Sequence, residues 1–162
     1  MSREQSLRRG AALMVLGALI FFIYAVVFFF RALSGSGFEI GVETLNGVTP
    51  QQLNGINPAI MAYIMHLHVA IAGFIAAVAI AAGGLAWYGV CRGYWWAWIT
   101  AVIAPVVGLV VALPLYWMGH FNYDWRSHLG AIYIATIIYV VGAVLALLGL
   151  SQPTSVAAPA AR

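Results

Sequence analysis

The chain has 162 residues, of which 64% are hydrophobic and only 7% charged, with a formal net charge of +3. That balance excludes a soluble globular domain, in which apolar residues make up about half of the chain, and seven arginines spread along an apolar chain exclude a nucleic-acid binder. There is no lysine, so Schiff-base chemistry is excluded, and the single cysteine, Cys91, permits no internal disulfide, dithiol relay or C-x-x-C-H haem attachment.

In chain order, apolar runs predict membrane spans at 11–32, 59–88, 95–118 and 127–150, each reaching the ~20 residues that cross a bilayer. The first follows Arg3, Arg8 and Arg9 and ends in Phe28-Phe29-Phe30-Arg31. It is too long for a signal-peptide core and has no A-x-A-like exit, so it reads as a span. The connection 33–58 is the longest and is rich in Gly, Asn, Ser and Pro. Within it, Thr49-Pro50-Gln51-Gln52-Leu53 reads as the start of a short interfacial helix. A lid over a site and a tether on the membrane surface are both open readings of this segment. Trp87, Tyr88, Tyr94, Trp95, Trp96 and Trp98 flank one hairpin, and Tyr116, Trp117, Phe121, Tyr123 and Trp125 flank the other, as aromatic belts do. Ser151–Arg162, rich in Ala, Pro and Ser, reads as a disordered tail. The expected architecture is all-α: one integral-membrane four-helix bundle over residues 1–150.

Arg3, Arg8, Arg9, Arg92 and Arg162 fall on one set of termini and loops, and Glu39, Glu43 and Asp124 on the other, which also carries Arg31 and Arg126. The positive-inside rule then places both termini in the cytoplasm (N-in, C-in) of a bacterial-type inner membrane, with the lipid bilayer as the first partner. All four histidines gather toward the outer face: His66 and His68 early in span two, His120 after span three, His128 at the start of span four. Imidazole in lipid is costly without a partner, so the cluster suggests a metal or haem site.

Helix positions two apart diverge by about 200°, so His66 and His68 cannot serve one cofactor together. His66 heads the row His66, Ala70, Gly73, Ala77, a small-residue stripe that lets a flat group or another helix approach the backbone. A haem on that face with His66 as its axial iron ligand fits, and so does plain helix packing. His128 is a candidate second ligand or proton carrier, and Arg126 a candidate partner for a haem propionate. Tyr63, Tyr116 and Tyr133 lie within a turn or two of the histidine level. A three-histidine zinc or copper site from His66, His120 and His128 stays open, whereas the H-E-x-x-H, G-x-S-x-G, P-loop and dinucleotide motifs are absent. No carboxylate lies within a span, which argues against an ion-coupled relay.

The four spans, the inward termini, the run Gly37-Phe38-Glu39-Ile40 and the pair His66/Gly73 together resemble the styrene oxide isomerases. These are small four-helix membrane enzymes with haem b at the subunit interfaces of a trimer. The resemblance implies haem b on His66, an apolar epoxide drawn from the lipid, and its isomerisation to a carbonyl compound with the iron as Lewis acid. It also implies a homo-oligomer, which the Gly- and Ala-rich helix faces would suit. On this reading Tyr116 and Asn57 orient the substrate. The chain departs from the family at Ala72, where an asparagine is expected, and in lacking an aspartate in span three. The start Met65-His66-Leu67-His68-Val69 is also similar to the H-x-H helix of haem-copper oxidase subunit I. Two other readings stay open: a bis-histidine cytochrome using His66 and His128, and a cofactor-free accessory subunit.

Overall fold

The computed structural model describes residues 1–35, 37–118 and 122–153, with side chains at all of these but 115, 116, 122, 123 and 128. Nearly all of it is helix: α1 (Arg3–Leu33), α2 (Pro50–Ile56), α3 (Pro58–Tyr88), α4 (Trp95–Tyr116), α5 (Trp125–His128) and α6 (Gly130–Leu150). Of these, α1, α3, α4 and α6 are long and apolar enough to cross a membrane. The protein is a multi-pass, all-α four-helix membrane bundle. Two short strands, β1 (Val42–Thr44) and β2 (Asn122–Tyr123), pair antiparallel at one end. Helix α1 begins well before residue 11, because Ser2 and Gln5 form a capping box that satisfies its first amides. The fourth span is divided: α5 ends at His128, Leu129 is buried, and α6 starts at Gly130. Thr49 caps α2 through a second capping box, so a short helix does lie within 33–58. The proposed tail falls mostly at 154–162, outside the described residues.

Small residues set the packing. Helix α1 runs antiparallel to α6 and touches it so closely that side chains are excluded at the crossing. A Cβ on Gly10 would sit 2.5 Å from the Ala146 amide nitrogen, and one on Gly142 would sit 2.7 Å from the Gly10 carbonyl oxygen. The apolar core, including Met14, Ala18, Ala82, Ala86, Val90, Ala97, Ala101 and Ala146, lies in the half of the bundle that contains the chain start and the α3–α4 hairpin. Arg3 packs beside Gly93 of that hairpin, so the arginine-rich segments share one end.

Helix α4 is the loosest member. It leans mainly on α3 and barely meets α6. Ala97 and Ala101 are buried, and no described residue of α4 beyond Ala101 is. Pro105 explains where the change occurs. It has no N–H to give the carbonyl of Ala101 four residues back, and its ring crowds that carbonyl, so a helix bends or loosens there. The freed carbonyl is not wasted: the Tyr139 hydroxyl of α6 donates to Ala101 O at 2.8 Å. The Trp98 indole donates to Ala143 O at 2.9 Å, a second tie between the same helices. Tyr139→Phe should therefore strand a buried carbonyl and cost about 1–3 kcal/mol, read by reversible unfolding in mixed micelles. An unchanged stability would show that water or another donor serves Ala101.

Candidate functional site

The inward stripe of α3 is His68, Ala72, Ala79, Ala82 and Ala86. His68 is only 8% exposed, and its ring lies 5.2 Å from that of Phe28 on α1. His68 Nε2 is 3.9 Å from Glu39 Oε1, an ion pair whenever the imidazole is protonated. The other nitrogen, Nδ1, is buried and has no hydrogen-bond partner among the described residues. Buried polar atoms are nearly always satisfied, so one left open marks a place where something else is expected to bind.

Glu39 reaches His68 because the segment 33–58 folds back over the end of the bundle. Phe38 and Val42 anchor it by burial. Strand β1 pairs with β2, and the Asp124 amide donates to Gly41 O at 2.9 Å. Gly37 turns the chain with φ +105, a conformation that favours glycine. The segment closes a space of about 270 Å³ against α3, lined by Phe38, Glu39, Val42, Leu45, His68 and Ile71 among others.

A larger cavity of about 510 Å³ adjoins it, sharing Glu39 and Ile71, and runs between α1, α3, α4 and α6. This is the volume left where α4 parts from the bundle beyond Pro105. Its lining is apolar apart from Glu39, Tyr24 and Tyr139 among the described residues, and the volume is that of a small-molecule site. Phe74 and Gly108 line it while remaining exposed, so it opens sideways, toward where lipid would lie.

His66 is placed on the opposite side of α3, exposed together with Gly73 and Ala77. A Cβ on Gly73 would meet nothing within 4 Å. Among the described residues no other helix meets this row at Gly73, and His66 at its head is the residue that could ligate a flat group lying there. Gly73 and His66 are brought together on that face as expected, and His66 and His68 are separated. Asn57 lies elsewhere: it is exposed, lines neither space, and its Oδ1 accepts the Ala59 amide as the cap of α3 at 2.9 Å. The Arg126 guanidinium lies 5.5 Å over the Trp125 ring. Asp124 caps α5, and its bonds from the Ser127 hydroxyl and the Arg126 amide hold its carboxyl below the ordinary range. Tyr116 ends α4 and His128 ends α5, with side chains outside the described set, as is His120 altogether. Among the described residues, no three His, Cys, Asp or Glu side chains converge.

Sequence reasoning passed over Glu39, Tyr24 and Tyr139. The sequence did hold one signal for Glu39, an acid flanked by Phe38 and Ile40. No protein-family model, curated protein or solved structure matches this chain.

Proposed function

We propose that this protein takes an apolar small molecule from the bilayer into the cavity along α4 and holds its polar end against His68 and Glu39. One observation carries the reading: a buried imidazole, its Nδ1 without a partner among the described residues, beside the carboxylate at which an apolar cavity ends. A His–Glu pair can also move a proton at the bound molecule's polar end, Glu39 stabilising the imidazolium when the proton is on His68. Native mass spectrometry of the protein purified in mild detergent tests this. A co-purified lipophile should accompany the wild type and be lost in Gly108→Leu, which fills the cavity from a position where a new Cβ meets nothing. A wild type that carries no such molecule and retains none when offered a panel of lipophiles would refute it.

A second reading is favoured by the open His66 face and by the resemblance to the styrene oxide isomerases. In it the protein carries haem b on that face, His66 as ligand with the face cleared by Gly73, and a second copy of the chain covers the far side of the group in a trimer. When bound, the haem would supply Lewis acidity for opening an apolar epoxide to a carbonyl compound. The chain's own residues would shield the site from water and orient the substrate. Haem detected in the purified protein, with styrene oxide turned into a carbonyl product, would support it.

The arginine-rich end is the cytoplasmic one in this proposal, in a bacterial-type inner membrane. With Cys91 replaced by Ser, single cysteines at Ser36 and Arg162 should react with impermeant thiol reagents from opposite faces. Labelling of both from one face would overturn the orientation.

A further inference from the structure

We propose that the occupant of the cavity is a single-headed lipophilic alcohol, its hydroxyl at His68 and Glu39 and its chain running down the cavity toward Tyr139. This rests on the reading that the cavity takes up a lipophile; it adds the orientation and the chemistry of the head.

Orientation follows from the distribution of polar atoms. Glu39 marks one end, where the cavity meets the smaller space that Glu39 and His68 line under the folded-back segment. At the far end the lining is Ala18, Ala82, Ala104 and Tyr139, and the Tyr139 hydroxyl already donates its hydrogen bond to Ala101 O. Along α3 the cavity extends from Ile71 to Ala82, roughly 16 Å at the rise of an α-helix. That is about half of a hydrocarbon core ~30 Å thick. The occupant therefore spans one leaflet, head outward and chain inward, in the posture a lipid already has. It can slide in along α4 without turning over.

The head follows from hydrogen-bond chemistry. With the proton of the neutral imidazole on Nε2, which faces Glu39 at 3.9 Å, Nδ1 presents a lone pair. It then needs a donor, and a hydroxyl supplies one without adding charge. A carboxylate head would set a second negative charge near Glu39 in surroundings of low dielectric. An ammonium would be buried as an ion with three donors among apolar walls, and its nearest carboxylate already faces His68.

The test uses the full chain in phosphatidylcholine nanodiscs and a photoactivatable diazirine analogue of a long-chain alcohol, competed by dodecanol, dodecanoate or dodecylamine. Cross-links should map to 71–82 and 104–113. Dodecanol should displace the probe about tenfold better than the acid or the amine. His68→Phe should keep the cross-link and erase that preference, while Gly108→Leu should remove the cross-link from a folded protein. Equal displacement by the acid or the amine, or an unchanged preference in His68→Phe, overturns the alcohol assignment and leaves the cavity reading standing. No cavity cross-link from diazirine probes of any of the three head types overturns both.

Discussion

Gly142→Leu should all but abolish folding of the bundle, lowering its stability by about 3 kcal/mol or more, at the upper end of what overpacking costs. At this crossing a Cβ on Gly142 would lie 2.7 Å from both the Gly10 carbonyl oxygen and the Met14 amide nitrogen. Both neighbours are backbone atoms, so no rotamer change makes room, and α1 must move off α6. With no hydrophobic gain between helices in lipid, close backbone contact of this kind is a main source of their association. Gly10, Gly17 and Gly149 are in comparably tight places, with first contacts at 2.5, 2.9 and 2.9 Å. Gly73→Leu is the control. It adds the same side chain to the same kind of helix, at a position where a new Cβ meets nothing within 4 Å, and should change stability by less than about 0.5 kcal/mol. Reversible unfolding of both variants in mixed micelles gives the comparison. A Gly142→Leu protein as stable as the wild type would mean that α1 and α6 are not in contact along this line.

The contrast between these glycines also shows where sequence reading stops. That the chain forms four apolar helices is legible because each run is long enough to cross lipid and contains few breaks. Which glycines are packed and which are open is not, because Gly17, Gly73, Gly108 and Gly142 all sit in similar apolar surroundings in the sequence. Only the neighbouring helix distinguishes them. The short helix after Thr49 was readable from its capping box, a local signal. The break at Leu129 was not, since Ser127–Leu150 is nearly continuous in hydropathy and the division is a single residue between α5 and α6.

For the site, helical geometry alone separates His66 from His68, since residues two apart cannot share a face, and their exposures follow that separation. Which of the two faces inward depends on where Phe28 and Glu39 arrive, and both come from other segments of the chain. Glu39 is distant in sequence from His68 and is delivered by a connection whose path depends on a two-stranded pairing with residues 122–123. Pairings of that range leave no local pattern to read. The link between Pro105 and Tyr139 is similar: a proline in a span announces an orphaned carbonyl, but the hydroxyl that meets it lies on α6.

The two faces of α3 lead to the sharpest experiment, because their functions can be removed one at a time. If haem b occupies the outward face, His66→Ala should weaken its retention by more than about 100-fold, since even residues behind a metal ligand account for 10–100-fold. The Soret band would then vanish from the purified protein. Gly73→Leu should weaken the band as well, by obstructing the face while leaving the fold intact. His68→Ala should keep the band and instead lose the cavity's lipophile, because its ring points away from that face toward Phe28 and Glu39. Carbon monoxide then separates the isomerase reading from the electron-transfer one. With His66 as the single axial ligand the reduced protein binds it, and His128→Ala keeps its haem. With His66 and His128 both ligating, carbon monoxide is excluded and His128→Ala loses the band. A wild type without haem under ample haem supply ends both haem readings and leaves the His68–Glu39 cavity as the functional site. A band lost in His68→Ala but kept in His66→Ala would place the haem on the inward face, against the open row at Gly73, and would displace the lipophile from the cavity assigned to it.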